Sequence, residues 1–95
     1  MEANKGDLRI WWIPQVPGKA FRVRVGSVQD GVLLLRTLAD YDLFQFHNNI
    51  KPDYSNAGGL ELFDGDEWVS WYLSDYEDPE EYLEEMKVSI TYKVE

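Results

Sequence analysis

One histidine occurs in this 95-residue chain, and any proton-transfer or metal chemistry would have to be built around it. His47 stands near Asp40, Asp42 and Asp53, side chains that together can relay a proton or hold a cation. The spacing supports neither role, because no second histidine or cysteine completes a transition-metal ligand set and no HxxxH or HxH pattern occurs. Ser55 and Ser70 have no His or Lys at a recognisable spacing, so no activated nucleophile is legible. Asp64, Asp66 and Glu67 are the oxygen ligands calcium favours, but the EF-hand pattern is absent and a solvated turn is the simpler reading. These residues point to a protein that is not an enzyme and needs no metal or cofactor.

A second constellation lies in the polar stretch 45–59, Gln-Phe-His-Asn-Asn-Ile-Lys-Pro-Asp-Tyr-Ser-Asn-Ala-Gly-Gly. Read as a ligand cradle, Lys51 supplies charge, Asn48, Asn49 and Asn56 supply paired donors and acceptors, and Tyr54 supplies a stacking face. Gly58 and Gly59 would let a ligand approach the backbone closely. Read as a structural connection, the same Asn and Asp side chains bond to their own backbone. No GxxxxGK[ST] or GxGxxG pattern favours a nucleotide, and the two readings stay open.

The elements that must position these residues are marked by hydrophobic period. Leu8–Ile13 is rich in β-branched and aromatic residues and reads as a strand. Pro14, Pro17 and Gly18 interrupt it. Phe21, Val23 and Val25 then alternate with Arg22 and Arg24, as in a half-buried strand. Ser27 and Asp30 form a variant of the capping box, so a helix starts there. Its stripe is Val28, Val32, Leu35 and Ala39, widened by Leu34 and Leu38, and Gly31 weakens the first turn by about 1 kcal/mol. Asp40 could cap a second short helix over Tyr41–His47, or one kinked helix could continue. Gly59–Phe63 and Glu67–Leu73 flank Asp64-Gly65-Asp66, a strong hairpin signal. Pro79 suits the first turn of a helix over Glu80–Met86 capped by Asp78. Val88, Ile90, Tyr92 and Val94 alternate with polar residues as a closing strand. The order β-β-α-β-β-α-β predicts an α+β fold in one domain: a mostly antiparallel sheet with one main helix packed on one face.

A core built from such a short chain must be aromatic, and the sequence has four Trp, six Tyr and four Phe. Tryptophans 11 and 12 must point to opposite faces of a strand, so aromatic area exceeds what one small core can hide. Trp11 and Trp71 are therefore candidates for a partner-binding surface. Charge is as unevenly placed. Residues 1–51 hold seven Lys and Arg against five acids, whereas 52–86 hold twelve acids and no base, within a net charge of -9. Glu80, Glu81, Glu84 and Glu85 concentrate that acidity and could engage a basic protein surface or mimic a polyanion; a merely solubilising face is the simpler reading. Direct nucleic-acid binding is disfavoured unless the basic N-terminal part forms a face of its own. The absence of cysteine, of a leader segment and of any apolar run of about 18 residues predicts a cytoplasmic protein that does not span a membrane.

Three stretches, Ile-Pro-Gln-Val-Pro-Gly-Lys (13–19), Leu-Ala-Asp-Tyr-Asp-Leu-Phe-Gln-Phe (38–46) and Asn-Ile-Lys-Pro-Asp-Tyr-Ser-Asn-Ala-Gly-Gly-Leu (49–60), resemble a group of small proteins encoded by bacteriophages and prophages. The resemblance runs over roughly residues 8 to 72, and the acidic tail departs from it. It implies a phage accessory role and carries no catalytic residues with it. The expected function is non-catalytic: binding and modulating a host protein, including a component of a defence system. The alternative is sequestration of a small nucleotide signal by the 45–59 loop.

Overall fold

The computed structural model describes residues 2–52, 55–71 and 78–95. Among them, four strands and two helices follow the order β1 (Leu8–Ile13), β2 (Phe21–Val25), α1 (Val28–His47), β3 (Ala57–Phe63), β4 (Trp68–Ser70) and α2 (Pro79–Glu85). The strands form one antiparallel sheet in the order β2-β1-β3-β4, so β1 and β3 are central. This is the expected α+β class, with the main helix on one face.

Period two in β1 decides which face is closed. Ile10 is fully buried and Trp12 is 4% exposed, and both pack with Leu60 of β3. Leu34, Leu35, Leu38 and Ala39 of α1 cover this cluster, and Val32 is buried beside it. Leu35 and Leu38 are only half-buried, less than their stripe position implies. Gly31 belongs to this contact: a Cβ there would lie 2.8 Å from Leu60 Cδ1, so the residue that weakens the helix also lets it seat against the sheet.

Local signals account for the element ends. The Ser27 hydroxyl accepts from the Asp30 N–H at 3.0 Å, and Asp78 accepts from the Glu81 N–H at 2.7 Å ahead of Pro79. In the hairpin, Asp64 Oδ1 accepts the N–H groups of Asp66 and Glu67, and Gly65 adopts φ +112°. These two amide donors hold the Asp64 carboxyl below the usual aspartate range.

Of the two readings open for residues 40–47 the continuing helix holds: residues 28–47 form one helix, and the Asp40 carboxylate accepts the Tyr92 hydroxyl at 2.6 Å. One expectation fails: residues 88–94 form no strand. Lys87, at φ 59°, turns the chain along α1 after α2, where Gln29 Nε2 donates to the Ser89 carbonyl. The segment has strand periodicity but is docked by side chains in place of a ladder.

Candidate functional site

Opposite the helices, the sheet has a face that no described helix covers. Register brings Arg9, Trp11 and Ile13 of β1, Arg22 and Arg24 of β2, Ala57, Gly59, Glu61 and Phe63 of β3, and Trp68 and Ser70 of β4 to this side. Every one of them is half-buried or exposed, in contrast to Ile10, Trp12 and Leu60 on the helix side.

The centre of this face is an ordered array of charge and aromatic rings. Arg9 Nε donates to Glu61 Oε1 at 2.7 Å, and its guanidinium carbon lies 4.1 Å from the centre of the Trp68 ring. Arg24 approaches the same ring at 5.2 Å while its Nη1 donates to Asp7 Oδ2 at 3.0 Å. Phe63 tilts against Trp68 with centroids 5.3 Å apart. The two cations and Phe63 restrict the orientation of the indole, cation–π pairs at such distances being worth about 0.5–1 kcal/mol at exposed sites. Arg22, 3.9 Å from Glu61 and 49% exposed, sits at the rim and is the more solvated cation. Preorganised Trp and Arg of this kind are the residue types that dominate protein interfaces.

The strand period puts Trp11 on this face, and the glycine opposite it on β3 makes room for its ring. A Cβ at Gly59 would lie 2.7 Å from Trp11 Nε1, and one at Gly58 would collide with the Trp12 ring. The paired glycines are thus strand residues of β3 that seat one indole on each face. This corrects their reading as part of a ligand-approaching loop.

The remaining loop residues act on the protein itself. Lys51 Nζ pairs with Asp42 Oδ2 at 3.1 Å and also donates to the Pro14 carbonyl. Asn56 Nδ2 donates to the same Asp42 oxygen at 3.0 Å. Lys51 and Asn56 do converge, but on a carboxylate only 5% exposed, which ties the loop to α1 and to the β1–β2 connection. Asn48 Nδ2 donates to the Phe44 carbonyl at the helix end, and Asn49 takes the left-handed φ of 58° that stops the helix. Tyr54 and Asp53 lie outside the described residues. His47 is exposed at the end of α1, its ring tilted against Phe46. Among the described residues, no three His, Asp or Glu side chains converge as a metal site would require.

The candidate partner surface divides. Trp11 is on the uncovered face. Trp71 is not: it follows Ser70, which faces the uncovered side, so it falls on the helix side, where it packs on the core and meets Tyr82 edge-on at 5.3 Å. Glu80 is bound to Arg36 by two hydrogen bonds of 2.9 and 3.0 Å. Glu81, Glu84 and Glu85 are exposed on α2, on the helix side of the sheet and away from Trp11. Aromatic and acidic groups therefore do not form one surface. The sequence did not single out Arg9, Arg22, Arg24 or Phe63 as surface residues, although the Arg alternation in β2 already placed two of them on one side, and Trp68 counted only toward the excess of aromatic area.

The model of the family described as "Superinfection exclusion gene product 17" matches residues 7–88. The match continues through the acidic stretch at which the phrase-level resemblance stopped. A superinfection exclusion protein of Salmonella phage P22 is 50% identical over 99 aligned residues, covering 88% of this chain and 96% of that protein. No solved structure matches the chain.

Proposed function

The chain belongs to the superinfection exclusion gene product 17 family, a family of small phage-encoded proteins, and from that premise we propose that it excludes a second phage by binding a host protein, without catalysis. The observation that carries this reading is the uncovered sheet face, where Arg9 and Arg24 lie over Trp68 and Trp11 stands opposite Arg22. A sheet of this size with a polar outer face would need no such array to fold; the rings and guanidinium groups provide an anchor set for an interface.

Charge selects the class of partner. The three arginines share the face with Glu61 and with Asp7 at its rim, so the net excess is small. A nucleic-acid surface needs many uncompensated cations, whereas a protein with a mildly acidic rim needs few. Action inside the host cell is part of the proposal. Among the described residues, no helix is long and apolar enough to cross a membrane. The nucleotide-sequestering alternative would rest on Lys51, whose charge Asp42 already neutralises.

The test is infection of cells producing the protein. Wild-type protein is expected to lower the plating efficiency of a challenging phage, and Trp11→Ala or Trp68→Ala is expected to restore it while the variants stay folded. Full exclusion by both variants would dismiss the face as the site of action.

A further inference from the structure

We infer that the free edge of β2 is a strand-addition site for an extended segment of the partner that alternates acidic and apolar residues. The inference rests on the protein-binding reading above and names the part of the partner that is held.

Among the described residues β2 pairs with β1 alone, so it is an edge of the sheet, and its five residues make it longer than β4 at the other edge with three. Alternate residues of an antiparallel edge turn their N–H and C=O groups outward, where they can template another strand. Proline and bulges are the common ways to blunt such an edge, and Phe21–Val25 contains neither.

Side chains give the edge two different flanks. On the helix side, Phe21 and Val23 are 42% and 36% exposed, high values for the inward-facing residues of a strand. Val23 and Val25 border an open groove of about 440 Å³ whose far wall on α1 is Leu33, Leu34 and Thr37, with Asp30 beside them. Tyr41, 57% exposed, continues that helix side two turns beyond Leu34. On the opposite side, Arg22 and Arg24 project from the same strand with 49% and 37% of their side-chain surface exposed.

An added strand places successive side chains on alternate flanks. Apolar ones would enter the groove between β2 and α1, and acidic ones would stand beside the arginines at cross-strand distance. The same charges argue against a second copy of this chain as the occupant. Antiparallel β2–β2 pairing about a two-fold axis would bring arginines against arginines, and like charges directly opposite are destabilising. The edge therefore disfavours itself and fits an acidic–apolar strand, the mode in which main-chain bonds give affinity and alternate side chains give specificity.

The probe is the capped peptide acetyl-Val-Glu-Val-Glu-Val-Glu-Val-amide, titrated into the full chain and followed by amide shifts and hydrogen exchange. Slowed exchange at alternate amides of residues 21–25, together with at least tenfold weaker binding when alternate peptide nitrogens are methylated or when Arg22→Glu and Arg24→Glu are combined, is the expected result. Shifts confined to other residues, or affinity unchanged by methylation, would overturn the inference. A second readout separates it from its premise. Phe21→Glu with Val23→Glu alters positions already open to water and leaves the Trp11 face intact, and this variant is expected to lose phage exclusion. If it still excludes while Trp11→Ala does not, strand addition fails and protein binding by the face stands; if both exclude fully, the premise fails as well.

Discussion

Trp11 and Trp12 are the same residue type at adjacent positions, yet the molecule uses them in opposite ways. Trp12 is 4% exposed, wedged between Ile10, Leu60 and the α1 stripe. Trp11 lies across the sheet, over Gly59 and on the side that carries Arg9, Arg22 and Arg24. The difference follows from the two-residue period of a strand. One face hides its aromatic area under helices; the other carries Trp11 opposite Arg22 and Trp68 beneath Arg9 and Arg24. The first arrangement contributes stability. The second is the surface proposed to meet a partner.

Substitution at the two positions should separate these roles most strongly. Trp12→Ala should cost about 3–5 kcal/mol in denaturant titration, as for a buried aromatic removed from a core. Trp11→Ala, from a half-buried site, should cost about 1–2 kcal/mol and yet abolish exclusion. Equal losses of stability would mean that the faces are not distinct.

Next in size is the buried pair behind the loop. Asp42→Ala would leave Lys51 with an uncompensated charge at a site where its side chain is 12% exposed, and should lower stability by about 3 kcal/mol. Lys51→Ala should do nearly as much. Unchanged melting of Lys51→Ala, coupled with loss of an anionic ligand, would restore the loop as a binding site. A smaller effect is expected at Gly59→Ala, where the added methyl displaces Trp11: about 1–3 kcal/mol, with a changed indole fluorescence.

The smallest effect concerns α2. The hydrogen-bonded Arg36 guanidinium holds the Glu80 carboxyl below its ordinary value of 4.5, against the opposing effect of partial burial. A depressed folded value means that the pair stabilises fully above that ordinary value and loses its contribution as pH falls through the depressed one. Because the Glu80 side chain is 54% exposed, the contribution is less than about 1 kcal/mol. Glu80→Gln should remove that part of the acid-side slope of stability and leave exclusion unchanged.

Much of this architecture was legible in local chemistry. Ser27, Asp78 with Pro79, and Asp64-Gly65 marked their caps and turn because the deciding bonds span only a few residues. Arg22 and Arg24 alternating with valines already implied a charged flank. What failed depended on partners distant in sequence. Gly58 read as loop, and Gly59 as the loop's end and the first strand residue at once, since nothing local reveals that Trp12 and Trp11 stand opposite them on β1. Residues 88–94 have strand periodicity, but the anchors that lay the segment along α1 are Gln29 and Asp40, far back in the chain. Trp71 was indistinguishable from Trp11 in the sequence, since its ring partner Tyr82 belongs to α2, a separate element.

The central claim is that the uncovered face, and not the acidic helix, meets the partner. Its most direct test is the plating efficiency of a challenging phage on cells producing two charge-reversal sets at equal levels and with wild-type melting temperatures. One set is Arg22→Glu with Arg24→Glu; the other is Glu81→Lys, Glu84→Lys and Glu85→Lys together. Loss of exclusion by the first set with retention by the second is the predicted result. Retention by the first and loss by the second would contradict the account and move the interface to α2.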